Sequence, residues 1–209
     1  MPFTSKYRLA EQSQRLILGG NPTDDREVTT TELMLYVEQC LGQLVKLNYF
    51  QNKQEGESTV NGDFIYSFED VDVKQDKAKS IFYSELPATS MALPHDMGVY
   101  GISCMKDQRN AFVRVPNGFM SLYNGLASSN LEGRQGYFLE NKRVYYPNMD
   151  VADNIDGVLM KLVVPLGSLD SDEEINIPLD FQHDIVNKTV ELFLLEQDRP
   201  KDIENDNFK

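Results

Sequence analysis

The chain has 209 residues, 41% hydrophobic and 25% charged, and 33 Asp and Glu against 20 Lys and Arg give a net charge of −13. That length suits one sizeable core, or one core carrying an inserted subdomain, while the acidity argues against a nucleic-acid reader, which needs a clustered basic surface. The longest apolar run, residues 158–166, is interrupted by Lys161 and Pro165, so no transmembrane span fits.

The first residues lack the apolar stretch of a secretory signal, which predicts a chain made and kept in the cytoplasm. Residues 5–18 predict a first helix with Leu9, Leu16 and Ile17 on one side and Gly19-Gly20 as its stop. Asn21-Pro22-Thr23-Asp24-Asp25 is a turn. Thr29 and Glu32 then form a capping box, in which the hydroxyl can satisfy a free amide and the carboxylate can reach back. The second helix, residues 30–48, sets Leu33, Val37, Cys40, Leu44 and Leu47 at alternating steps of four and three, with Met34, Leu41 and Val45 alongside. This stripe reads as core, and as the natural partner of a helix near the C-terminus.

Residues 51–63 are polar and carry Gly56 and Gly62, which predicts the end of the helical part. Short segments rich in aromatic and β-branched residues follow, at 64–68, 80–84, 99–104, 111–115, 136–139, 143–146 and 158–164, separated by Pro, Gly and Asn. Residues 139–143 read as a short hairpin connection and 118–125 as a brief helix.

From 168 to 184 there are six acidic residues and no Lys or Arg. Such a run reads as a solvated approach to a helix, with a cation site or a landing strip for a basic partner as the sharper alternatives. The helix itself is predicted over 178–197, about 30 Å long. Pro178 suits its first turn and Asp180 and Asp184 suit its positive end. Phe181, Ile185, Val186, Thr189, Val190, Leu192 and Phe193 recur at helical spacing against a polar face of Asp184, Asn187, Lys188 and Glu191. Leu192-Phe193-Leu194-Leu195 then carries apolar surface right round the helix. Either the rest of the chain covers that end or another subunit does. The final residues, 198–209, form an acidic tail too polar to build a core of its own.

The expected fold is therefore α+β: a helical body from residues 1–50 and 175–197, an inserted, mostly antiparallel β subdomain at 51–174, and a tail at 198–209.

Recognisable chemistry is sparse. Cys40 and Cys104 are too few for a disulfide scaffold or a zinc site. His95 and His183 have no ligand pattern beside them. Ser103-Cys104 and the run from Gly118 to Ser121 lack the strand-turn-helix frame of an activated nucleophile. Gly19-Gly20 closes a helix instead of opening one, so it builds no phosphate cradle. Setting Gly157 at the invariant glycine of a calcium loop puts Ala152 and Val163 at ligand positions, so that reading fails. No catalytic, cofactor-binding or metal residue is expected, and the chain reads as a non-enzyme.

Two parts together carry a family resemblance. One is Tyr7-Arg8-Leu9-Ala10-Glu11 with Arg15-Leu16-Ile17-Leu18-Gly19-Gly20, an Asp/Thr turn and a capped second helix. The other runs from Ile177-Pro178-Leu179 through Ile185-Val186 and Val190-Glu191-Leu192 to Arg199-Pro200-Lys201-Asp202 and Asn205-Asp206. With Glu85-Leu86-Pro87, Leu93-Pro94, Met97-Gly98 and Val144-Tyr145-Tyr146 between them, the layout resembles the head-to-tail connector ring (adaptor) proteins of crAss-like bacteriophages. The resemblance implies a virion structural protein in the connector below the portal, present in the host cytoplasm during assembly. It implies a closed, dodecameric homo-oligomeric ring, contacting the portal and neighbouring connector or tail ring proteins. DNA would pass an acidic lumen without specific binding, and no membrane would be involved.

On that expectation the partner contacts are Leu192, Phe193, Leu194, Leu195, Arg199, Pro200, Asp202, Ile203 and Phe208. Two rival functions come from other classes. One is a glycan- or receptor-binding, capsid-decorating module using Tyr66, Phe68, Phe82, Tyr83, Tyr137, Tyr145 and Tyr146, although Trp, favoured for sugar stacking, is absent. The other is a metal-dependent hydrolase, which requires a concave cluster of three or more carboxylates.

Overall fold

The computed structural model describes residues 4–19, 28–56, 60–77, 80–116, 134–150, 155–175 and 177–197. The fold is α+β, with helices toward both ends and antiparallel and mixed sheets between them. The chain divides into two units, one of Met1–Gln51 with Leu169–Lys209 and one of Asn52–Ser168.

In the first unit, helix α1 spans Lys6–Ile17, and Ser5 caps it by accepting a hydrogen bond from the Arg8 amide. Gly19 ends it in the left-handed region at φ 64°, a conformation that costs glycine little. Helix α2 spans Thr30–Gln54, and the Thr29 hydroxyl accepts from the Glu32 amide at 3.2 Å, the first half of the expected box. This helix runs six residues beyond the expected end at Asn48. Gln51, Asn52, Lys53 and Gln54 are polar, but three of the four are good helix formers. The stop falls at Gly56, φ 91°, whose amide donates back to the Lys53 carbonyl at 3.2 Å.

Helix α3 spans Leu179–Gln197 and buries Ile185, Val186, Thr189 and Phe193. Its closest backbone neighbour is α1, not α2 as the apolar stripe suggests. Arg8, Leu9 and Gln12 of α1 line one cleft with Leu179, Gln182 and His183 of α3. Helix α2 meets α3 through side chains: Thr189 Oγ1 lies 3.6 Å from Cys40 Sγ, and Tyr36 packs edge-on against Phe193 at 6.2 Å between ring centroids. Two residues assigned to apolar faces, Leu16 on α1 and Leu47 on α2, are exposed.

The return of the chain to this unit begins at Leu169, six residues earlier than the expected 175. Backbone pairing explains the shift. The Tyr7 amide donates to the Ser171 carbonyl at 3.1 Å, Ser5 bridges Glu174, and the Ile175 amide donates to the Thr4 carbonyl at 2.8 Å. The acidic approach to the last helix is thus partly a short edge laid against the start of α1.

The second unit has two sheets. One holds β1 (Ile65–Asp72), β8 (Gly157–Val163) and β4 (Val99–Cys104), in the order β1-β8-β4 and wholly antiparallel. The other is ordered β2-β3-β7-β6-β5, with β2 at Lys74–Asp76, β3 at Ile81–Glu85, β7 at Arg143–Tyr146, β6 at Gly136–Glu140 and β5 at Val113–Arg114. Among the described residues, only the β5–β6 pair is parallel. Asn141 and Lys142, at φ 50° and 62°, make the two-residue turn between β6 and β7, whose positive φ values match strand twist. The β1 register shifts between Phe68 and Val71, where Asp70 has φ 56°. Gly157 lies against this bulge, and a side chain there would meet the Asp70 carboxylate. The glycine tested above as a calcium-loop residue is a close-packing residue. Gly98 is also fixed by packing, since a Cβ would strike the Met91 carbonyl.

Candidate functional site

The end of α3, singled out by its run of four apolar residues, is built on a buried anchor. Phe193 is 4% exposed and its ring meets Tyr36 of α2 at an interplanar angle of 82°. The Tyr36 hydroxyl donates to the Glu196 carboxylate. Phe193 is thus packed within its own unit. Leu192 is half-buried, whereas Leu194 and Leu195 are 47% and 57% exposed. Arg199, Pro200, Asp202, Ile203 and Phe208 lie outside the described residues.

The exposed row of α3 continues toward its start through Glu191, Asn187, Asp184 and Asp180 to Leu179. Glu191, Asn187, Asp184 and Asp180 recur at three- and four-residue steps and share one face, whereas Leu179, one residue from Asp180, points about 100° away from it. Helix α2 also has an outward row, in which Leu35, Gln39, Gln43, Lys46, Leu47 and Phe50 are exposed. Lys46 is the only charge in that row. The sequence reading missed this surface because it followed the buried stripe. Leu35 and Phe50 fall outside that stripe, and their signal was apolar residues among uncharged amides on the opposite side.

Groups with reactive potential are otherwise engaged in structure. Cys40 is buried, and its thiol is pushed up chiefly by burial, against a lowering by the Thr189 hydroxyl. Tyr146 is fully buried and its hydroxyl donates to Ser84 Oγ at 3.1 Å. Burial drives its phenol well above the ordinary tyrosine range, and burial likewise raises Tyr137. His183 is exposed and borders a shallow 140 Å³ cleft with Thr4, Arg8, Gln12 and Gln182. His95 sits in a one-turn helix at φ 56°. Among the described residues, no group of three or more His, Cys, Asp or Glu is placed to hold a metal ion.

The aromatic residues of the second unit pack chiefly on one another. Tyr137, Tyr145 and Tyr146 are buried, Phe138 stacks on Tyr145 with centroids 5.2 Å apart, and Phe112 meets Tyr146 edge-on at 5.7 Å. Tyr66, Phe68, Phe82 and Tyr83 are half-buried, and the Arg143 guanidinium covers the Tyr83 ring at 4.8 Å. The aromatic set thus does not form one open face for a sugar. A concavity of about 670 Å³ lies between the loop at 86–92 and the β6–β7 turn. Its ionisable lining is Asp96, Glu140 and Lys142, and Asp96 is already paired with Arg114.

No protein-family model matches the chain, and no curated protein sequence matches it. Among the described residues no helix is long and apolar enough to cross a membrane.

Proposed function

We propose that this chain is a non-enzymatic assembly protein, a subunit of a closed ring in the head-to-tail connector of a bacteriophage virion. The ring lies below the portal, links capsid to tail, and surrounds the DNA channel. The observation that carries the reading is the uncovered end of α3. Leu194 and Leu195 stand exposed on a helix anchored by Phe193, a rigid presentation of apolar surface suited to a subunit contact. The net charge of −13 supports it as well, because an acidic wall repels DNA phosphates and lets the duplex slide.

In this reading the helical unit is the body of the ring, the inserted β unit reaches adjacent rings, and residues 198–209 bind a neighbouring subunit. Particle imaging is the test. Expected is a ring of this chain, with twelve copies implied by the family resemblance described above, stacked beneath the portal; connectors without such a ring overturn the proposal. Removing 198–209 is expected to leave folding intact and to impair incorporation into particles. Normal incorporation of the truncated chain would remove the tail from the interface.

A further inference from the structure

We infer that Asn61 is a site of spontaneous modification: in the folded chain its side-chain amide cyclises onto the backbone nitrogen of Gly62, and the ring opens to aspartate and isoaspartate. The reaction needs no enzyme, cofactor or oxidant, and it is independent of the ring reading.

Attack by the following backbone nitrogen on an asparagine amide carbon closes a five-membered ring, and a side chain on the following residue hinders it. Among the described residues, Asn61 is the only Asn followed by Gly. Asn61, Gly62 and Asp63 are all exposed, and a Cβ built on Gly62 would meet nothing within 4 Å, so ring closure has room. No hydrogen bond among the described residues holds the Gly62 amide, the group that must lose its proton and attack. Asn61 has φ −56° and ψ 137°. Closure turns the backbone about that ψ, a rotation that glycine at 62 permits at little steric cost. The turn also sets a donor where charge develops. The Asp63 amide donates to Asn61 Oδ1 at 3.3 Å, and this oxygen carries the negative charge of the tetrahedral intermediate.

The Gly62 N–H gives its proton to solvent as the bond from nitrogen to Asn61 Cγ forms. The bond from Cγ to Nδ2 then breaks, and Nδ2 takes a proton from solvent and leaves as ammonia. Water opens the resulting succinimide at either carbonyl. Opening at Cγ restores the normal chain with an aspartate, and opening at the main-chain carbonyl leaves isoaspartate, whose main chain runs through Cγ and is one atom longer. Either product adds one negative charge to a chain at −13. The extra atom falls between two anchored residues, since Val60 is 5% exposed and Phe64 3%. The Phe64 amide donates to the Asn61 carbonyl at 3.0 Å, a group that ceases to be a peptide carbonyl in the isomer. Ile65, paired with Val163, follows directly, so the modification loosens the start of β1.

The test ages the full-length chain at neutral pH and body temperature, folded and in urea. Residue 61 is read by peptide mass spectrometry and by isoaspartyl methyltransferase labelling, with Asn110, Asn141 and Asn148 as references. Expected in the folded chain is conversion at 61 about tenfold faster than at any reference, with isoaspartate the main product. Gly62→Ala, whose methyl group meets no neighbour, is expected to slow it about tenfold. Asp63→Pro removes the amide donor and is expected to slow it about tenfold, whereas Asp63→Ala keeps the donor and the rate. In the isoaspartate fraction, hydrogen exchange at 65–68 is expected to be faster than in fresh protein. The inference is overturned if Asn61 converts in urea but stays intact in the folded chain. It is equally overturned if Asp63→Pro and Asp63→Ala convert at the same rate, and unchanged exchange at 65–68 overturns the loosening of β1.

Discussion

The helical unit is closed by residues from opposite ends of the chain, whereas the β unit is built from one continuous stretch. In the first, the Thr4 hydroxyl donates to the Gln182 side-chain carbonyl at 3.1 Å across 178 residues, and the Lys6 ammonium reaches Glu38 at 2.7 Å. In the second, every strand finds its partner within one stretch, although Ile65 pairs with Val163 and Phe82 with Tyr146, and the buried Tyr146–Ser84 bond spans 62 residues. The difference in chain entropy is small. Closing Thr4 on Gln182 spans 178 residues and pairing Ile65 with Val163 spans 98, less than a doubling, so the extra loop cost is at most about 0.6 kcal/mol. The sharper consequence is that damage at either terminus reaches the helical unit, because both termini contribute to its closure.

The largest test of this contrast is a cavity in each core. Ile185 is fully buried in the helical unit and Ile102 nearly so in the β unit, and truncating either to Ala is expected to cost about 2–5 kcal/mol. Hydrogen exchange read by segment separates the two. Ile185→Ala should accelerate exchange in 33–45 and 179–193, and Ile102→Ala should do so in 99–104 and 157–163. Equal acceleration of both sets by either change would mean that the units open together and that the contrast does not extend to stability.

Smaller effects probe the polar clamps. Lys6→Met strands Glu38, which is only a quarter exposed, and is expected to cost about 1–3 kcal/mol in the helical unit, measured by urea unfolding. Tyr146→Phe removes the donor to buried Ser84 and is expected to cost about 1–2 kcal/mol in the β unit. Alkali should separate the units too. Cys40, Tyr137 and Tyr146 have folded pKa values raised above their ordinary ones. The unfolded chain therefore loses those protons first, and stability is complete below the unfolded pKa and declines as pH rises past it. The decline begins near pH ~8.5 in the helical unit, from Cys40, and near pH ~10 in the β unit. Cys40→Ala should flatten the first decline and leave the second; an unchanged slope would discount the thiol.

Much of this organisation was legible in the residues. Thr29 and Glu32 marked the start of α2, Asn141-Lys142 marked a hairpin, and the order of elements implied helices at both ends. What escaped the reading was decided by neighbours. Lys74-Gln75-Asp76 has no strand propensity and becomes β2 because Ile81–Glu85 offers a free edge to pair with. The approach of α1 to α3 is lined in part by Arg8 and Gln12, polar residues that a hydrophobic pattern does not register. At the candidate site, the exposure of Leu194 and Leu195 followed from the apolar run. The burial of Phe193 depended on Tyr36, a residue 157 positions away in sequence.

The smallest effect concerns surface charge on the helical unit. Arg15 reaches Glu11 at 2.7 Å one turn away on α1, but the two side chains are 68% and 41% exposed. Water and salt screen such a pair, and holding two long side chains costs entropy, so Arg15→Ala is expected to change stability by only about 0.3–0.5 kcal/mol. Lys6 on the same helix provides the control, because its similar bond to Glu38 is largely withdrawn from solvent. A several-fold ratio between the two substitutions would place the strength of the helical unit in its buried cross-chain clamp. A ratio near one would mean that burial adds nothing to the Lys6 pair, and that α1 is held to α2 mainly by apolar packing.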